Sequence, residues 1–110
     1  MGEENIMNKQ DVAMVGFEII AFAGDARSKL VSALDECNKG NFEQSEKLIQ
    51  EANECILEAH KAQTNMLQAE ARGENMELGF IMVHAQDHLM TTMLLRDVMK
   101  HFVNLYKRTK

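Results

Sequence analysis

Between Phe80 and Leu95 the chain reads FIMVHAQDHLMTTMLL, an apolar run into which His84, Gln86, Asp87 and His88 are set. Polar groups in such a run are costly unless partnered, so they mark a place where chemistry or recognition outweighs packing. On a 3.6-residue period His84 and His88 lie one above the other on a single face. Asp87 falls elsewhere, on the stripe Phe80, Val83, Asp87, Met90, Leu94. The histidines therefore face the edge of the core, and Asp87 faces either the core itself or an axis between copies of the chain.

The histidine pair has three chemical readings. The plainest is two satisfied histidines on a partly exposed helix face. A second is half of a zinc site, because an i, i+4 pair with a carboxylate nearby has ligand spacing. A third is an imidazole that accepts a phosphoryl group or a proton, which needs access for a partner and a neighbour that fixes the tautomer. The clustering of two His, one Asp and one Gln favours this third reading over what an isolated HxxxH would support.

For Asp87 the ordinary reading, a buried carboxylate paired with a cation, is poor, because the run offers no cation nearer than Arg96. If copies of Asp87 converge on a rotation axis, their charges repel. A shared hard cation such as Mg2+, with oxygen ligands from Asp87 and from Gln86, relieves that repulsion, as does protonation of some copies. His60 and His101 stand singly and read as solvent-facing or interface residues. Met82, Met90, Met93 and Met99 read as adaptable core filling.

These residues need long helices to hold them. Apolar residues recur at helical spacing from Asn8 to Lys39, as Val12, Val15, Ile19, Phe22, Ala26, Leu30, Ala33 and Cys37. Lys39-Gly40 is a C-terminal stop, and Asn41 with Gln44 resembles a capping box that opens a second helix. Its stripe is Leu48, Ala52, Cys55, Ala59, Ala62, Met66 and Ala69, and Arg72-Gly73 closes it. A polar joint at Glu74 and Asn75 leads to a third helix predicted from about Glu77 to Lys107, whose terminal cations suit the helix dipole. Short joints make consecutive helices antiparallel, so the predicted fold is all-α, an up-down-up bundle of three helices, each about 45 Å long. Small residues at Gly16, Ala23 and Gly24 allow close helix approach.

The third helix is apolar nearly all the way round, more than two neighbours in a small monomer can cover. Self-association follows, with helix three packed around the symmetry axis of a cyclic oligomer.

Composition excludes several classes. The 110 residues are read as a single domain, residues 1–110, with 1–8 expected as a flexible tail. There is no proline, and the aromatic content is only 5%, which disfavours a many-stranded sheet and leaves the core to aliphatic residues and Met. A net charge of −5 lacks the basic stripe that nucleic acid needs and favours basic partners. No run is long enough to span a bilayer and the N-terminus is not signal-like, so a cytoplasmic protein is expected. Cys37 and Cys55 lack CxxC spacing and are expected as buried free thiols.

The run Val83-His84-Ala85-Gln86-Asp87-His88-Leu89-Met90-Thr91 resembles the signature of the lactose/cellobiose-specific IIA proteins of the bacterial phosphoenolpyruvate-dependent phosphotransferase system. The resemblance extends to Gly24-Asp25-Ala26-Arg27-Ser28, Gly40-Asn41-Phe42, Glu58-Ala59-His60 and Gln63-Thr64. It implies that His84 is phosphorylated, at Nε2, by the histidine phosphocarrier HPr and passes the group to a cysteine of a IIB component, in uptake of a lactose-, cellobiose- or chitobiose-type sugar. It also implies a homotrimer in which Asp87 meets its symmetry mates around a metal ion, with Mg2+ the candidate. His88 and Gln86 are then the nearest groups to cradle the phosphoryl oxygens, and Met and Leu around His84 form the surface on which HPr and IIB dock. Two rivals remain. One is a helical-bundle oligomer in which the cluster binds metal only to hold the assembly together; the other, a metal-dependent hydrolase, lacks further ligands and an open position.

Overall fold

A computed structural model describes residues 6–109. The elements run β1 (Ile6–Met7), α1 (Lys9–Asn38), α2 (Phe42–Ala71), β2 (Asn75–Met76) and α3 (Phe80–Thr109). The three helices, 30 residues each, form a rod of 63 × 20 × 18 Å. The all-α expectation holds, with one small addition: β1 and β2 are two-residue segments paired in parallel.

Helix α1 opens on a true capping box. The Asn8 side chain accepts from the Asp11 amide at 2.8 Å, and the Asp11 carboxylate accepts from the Asn8 amide at 3.4 Å. Residues 6–8, expected in the flexible tail, are therefore tied down; residues 1–5 of that tail lie outside the described residues. At the other end Gly40 takes φ +83°, so that Gly40 N donates to Cys37 O at 3.0 Å and Asn41 N to Glu36 O at 2.8 Å. Gly73, at φ +88°, repeats this after α2, with Gly73 N donating to Glu70 O and Glu74 N to Ala69 O. Both are Schellman endings, in which a left-handed glycine lets the following amides satisfy orphan carbonyls.

Two boundaries differ from expectation. The capping box predicted at Asn41 does not form: its side chain makes no cap bond and donates instead to Glu36 Oε1 at 2.9 Å. The tight turn folds Asn41 back over the end of α1, where that carboxylate is the nearer partner. Helix α3 begins at Phe80 rather than near Glu77, because tertiary bonds claim the preceding backbone. Glu77 N donates to Met7 O at 2.9 Å, while the Glu77 carboxylate accepts from the Lys9 amide at 3.1 Å. That carboxylate also sits at the positive end of α1, where negative charge is favourable.

Helix α1 is the centre of the chain. It buries Val12, Gly16, Ile19, Ala23, Ala26, Leu30, Ala33 and Cys37, packs on both other helices, and leaves α2 and α3 to meet each other only lightly. One core cluster joins Val12, Ile19 and Ala23 to Ala59, Ala62, Met82, Ala85 and Leu89; the other joins Ala26, Leu30 and Ala33 to Ala52, Ile56 and Met99. On α2 the buried set adds Ser45, Ile56 and Gln63 to the expected stripe, while Cys55 is only half-buried. Of the methionines expected as core filling, Met82 and Met99 are buried, Met93 is half-buried and Met90 is exposed. At Gly16 an added Cβ would stand 3.1 Å from Ile81 Cγ2 and 3.4 Å from the Met82 Cα, so α1 and α3 approach through this glycine.

Gly40 and Gly73 have open space around a missing Cβ, so only their backbone conformation resists substitution. Gly40→Ala and Gly73→Ala are each expected to lower stability by about 1–2 kcal/mol, read as a lower urea midpoint at fixed protein concentration. Unchanged midpoints would show that neither turn depends on the left-handed conformation.

Candidate functional site

Helix α3 distributes its polar residues over three directions. Its α1 flank carries His84 and His88, its α2 flank carries Gln86, and its outward face carries Asp87. The separation follows from the helix: residues two apart do not share a face, whereas residues four apart do.

His84 is exposed and His88 half-buried, with ring centroids 5.9 Å apart in an edge-to-face arrangement. His88 lies against α1, where a Cβ on Gly24 would stand 3.8 Å from its Nε2. Its Nδ1 is enclosed and has no hydrogen-bond partner. Just beyond, Thr91 Oγ1 donates to the carbonyls of Asp87 at 2.9 Å and His88 at 3.1 Å, a back-bond within the helix. The expected stacking of the two imidazoles at the edge of the core is thus found, with one ring open to partners and the other seated behind it.

Gln86 is not part of this pair. Its Oε1 accepts from Gln63 Nε2, its own amide nitrogen reaches Met82 Sδ at 3.5 Å, and Gln63 also reaches Met90 Sδ at 3.6 Å. Within the chain the Gln86 side chain is thus held toward α2, while His88 stays beside His84. The same tether turns it away from Asp87. Gln63 was legible only as part of a motif; its burial beneath α3 is what makes it the anchor.

Asp87 is exposed and its carboxylate has no partner among the described residues. Of the two expected surroundings for it, the core is ruled out within the chain. Around it Phe80, Val83, Met90 and Leu94 are 52–86% exposed, an apolar face broken only by Asp87 itself. Among the described residues no group of three or more His, Cys, Asp or Glu could hold a metal within one chain. A metal at Asp87 needs ligands from other copies. His60 and His101 are exposed.

A second polar contact ties α1 to α2. Cys55 Sγ donates to Asp25 Oδ2 at 3.2 Å, and Asp25 pairs with Lys29 at 3.5 Å. Burial, then the hydrogen bond and charge of Asp25, push the Cys55 thiol above its ordinary value, with Lys29 acting against them. A thiol raised in the folded state is held protonated; the stability this contributes is complete below the ordinary thiol value and is lost as pH rises through the raised one. Asp25→Asn is therefore expected to speed alkylation of Cys55 several-fold at mildly alkaline pH, because the thiolate is the nucleophile. Buried Cys37 serves as the unreactive reference. Equal rates in both proteins would show that Asp25 does not control the thiol.

The chain is similar to known proteins over nearly its whole length. The family model for the lactose/cellobiose-specific IIA subunit of the PTS system matches residues 14–107. The lactose-specific EIIA component of Staphylococcus epidermidis is 56% identical over 102 residues, covering 93% of this chain and 98% of that protein. PtcA from S. mutans superposes with a TM-score of 0.88 at 46% identity, covering 92% of this chain and 99% of that one. The IIA(Chitobiose) fold, solved as a complex with HPr from the Escherichia coli phosphotransferase system, matches with a TM-score of 0.76 at 30% identity, covering 89% of this chain and 95% of that one. By sequence over nearly its whole length and by fold, the chain belongs to the lactose/cellobiose-specific IIA subunits of the sugar phosphotransferase system, a family that carries phosphate.

Proposed function

We propose that this chain is a phosphoryl relay in which His84 accepts the group from phospho-HPr and passes it to a cysteine of a IIB component, for uptake of a lactose-, cellobiose- or chitobiose-type sugar. The observation that carries the reading is an exposed imidazole, His84, backed by half-buried His88 within the family's motif. The solved IIA(Chitobiose)–HPr complex supports HPr as donor. Such a relay works beside a permease rather than within the bilayer: among the described residues no helix is long and apolar enough to cross a membrane. A cytoplasmic location follows from the donor.

In the transfer, His84 Nε2 attacks phosphorus as the donor's N–P bond breaks. The electron pair returns to the donor's ring nitrogen, and a donor ring that enters with its other nitrogen protonated leaves neutral. The phosphorylated His84 ring then sheds its own N–H proton to solvent. The second transfer repeats this with a IIB thiolate as nucleophile and His84, which takes a proton back from solvent on its other ring nitrogen, as the neutral leaving group. Little covalent machinery is required beyond in-line alignment and charge stabilisation. His88 is the adjacent candidate to orient the phosphoryl group. Gln86, held to α2 by Gln63, is the second candidate, which a neighbouring copy would present to His84.

The open apolar stripe of α3 supports a homotrimer with α3 central, since a monomer seldom leaves a continuous face of this kind uncovered. Asp87 at the middle of that stripe would then meet its mates. Its unpaired carboxylate fits a hard cation such as Mg2+, which when bound neutralises the converging charges.

His84→Gln is expected to abolish the gain of one phosphoryl mass on incubation with phosphoenolpyruvate, enzyme I and HPr, with helix content unchanged. His60→Gln and His101→Gln should still gain it. A phosphorylated His84→Gln would move the acceptor elsewhere, and a wild type that gains nothing would leave a metal-stapled structural bundle as the reading.

For Asp87, a chelator is expected to loosen the wild-type trimer in sedimentation, whereas Asp87→Leu should remain assembled and indifferent to chelator, because exchanging a whole buried ionic cluster for packed apolar groups removes its desolvation cost. Identical profiles for all samples, with no metal by elemental analysis, would place Asp87 away from any axis.

A further inference from the structure

We infer that Arg27 and Ser28 of α1, together with His88, form a phosphate-oxygen subsite that receives the phosphoryl group carried by His84; the assignment of its occupant rests on the relay reading above. The α1 flank of α3 holds an open cleft of about 510 Å³ lined by Gly24, Arg27, Ser28, Val31 and His88. Three features suit it to a phosphate dianion.

The first is an uncommitted cation. Arg27 is exposed and makes no ion pair or hydrogen bond among the described residues, although acidic residues outnumber basic ones in the chain, 17 to 12. The neighbouring carboxylate, Asp25, is directed to Cys55 and Lys29, and no carboxylate lines the cleft. A guanidinium offers a planar fork that matches two phosphate oxygens at once.

The second is a set of unused polar atoms. The Ser28 hydroxyl has no partner among the described residues, and the His88 Nε2 side of the ring faces Gly24 in the same cleft. Gly24 leaves the cleft open down to the His88 ring, since even an added Cβ would be 3.8 Å from its Nε2.

The third is register. As first and third helices of an up-down-up bundle, α1 and α3 run in the same direction, with Gly16 opposite Ile81 and Met82 and Gly24 opposite His88. Arg27 and Ser28 lie one turn beyond Gly24, and helical side chains lean toward the N-terminus. Arg27 therefore leans back toward the level of His88, whose ring is 5.9 Å from that of His84. His84 does not itself line the cleft; His88, whose ring adjoins that of His84, connects a phosphoryl group carried there to a cleft with one cation and no anion.

The phosphorylated protein, freed of HPr, tests this by 31P resonance. A guanidinium beside the phosphoryl group holds it dianionic to lower pH. Arg27→Met is expected to raise the midpoint of the 31P titration, and Arg27→Lys to restore part of the shift. Acceptance from limiting phospho-HPr should slow about tenfold in Arg27→Met, as for the loss of a charge-assisted contact of about 1.4 kcal/mol. A residue that only docks HPr or supports the helix would leave the midpoint in place, and Met matches Arg in helix propensity, so the variant should fold. Ser28→Ala is expected to shift the midpoint in the same direction by less.

A second arm titrates inorganic phosphate into the unphosphorylated protein while the ring signals of His88 are followed. Arg27-dependent binding with an unmoved phosphohistidine midpoint would support the subsite but make free phosphate its occupant. No binding and an unmoved midpoint would overturn the proposal. If wild type gains no phosphoryl mass at all, the relay reading fails, and the phosphate arm alone still decides whether Arg27, Ser28 and His88 bind phosphate.

Discussion

The close approach of α1 and α3 is the constraint on which the rest of the molecule depends. Gly16 lets the helices approach closely, since a Cβ there would press on Ile81 at 3.1 Å. Ala23 and Ala85, both fully buried, continue the seam. With this seam fixed, a rotation of α3 about its own axis is no longer free. His88 must lie against Gly24, His84 must lie one turn earlier at the open edge, and the stripe containing Asp87 must face away from the chain. Interiors packed at crystal-like density do not deform continuously, so one close contact propagates into a fixed orientation along three helical turns.

That orientation explains how one short polar run serves several purposes without mutual interference. The helical period sends adjacent residues about 100° apart, so Gln86, Asp87 and His88 point in three directions despite being consecutive. Gln86 is spent on the buried amide of Gln63, joining α3 to α2 where the two helices otherwise touch little. His88 is spent on the α1 seam behind the exposed ring of His84. Asp87 is left to whatever covers the outward stripe.

The ends of the helices are handled with equal economy. The paired glycines Gly40 and Gly73 close α1 and α2 by the same hydrogen-bond pattern, and the segments just before α1 and α3 are held together by a short strand pair. Glu77 does two things at that junction: its amide binds the Met7 carbonyl and its carboxylate caps the first turn of α1. The result anchors the start of α3 close to the start of α1, which is where the register between Gly16 and Ile81 is set.

Period and punctuation made most of the fold readable from the residues. Three helices, their antiparallel order, the glycine stops, the buried stripe of α1 and the stacking of His84 on His88 all depend on interactions within about one turn, and local pattern encodes those directly. Even the family signature is a local run. What sequence pattern left undecided was decided by contacts between distant residues. Asn41 gave up its cap for Glu36; the first turn of α3 gave way to bonds with Met7 and Lys9; Gln86 bonded to Gln63 on α2; and Asp87 came to lie outside the chain's own core. Each outcome is a competition between partners far apart in sequence, and only the tertiary structure, by placing one partner within hydrogen-bond reach and the other beyond it, determines which wins.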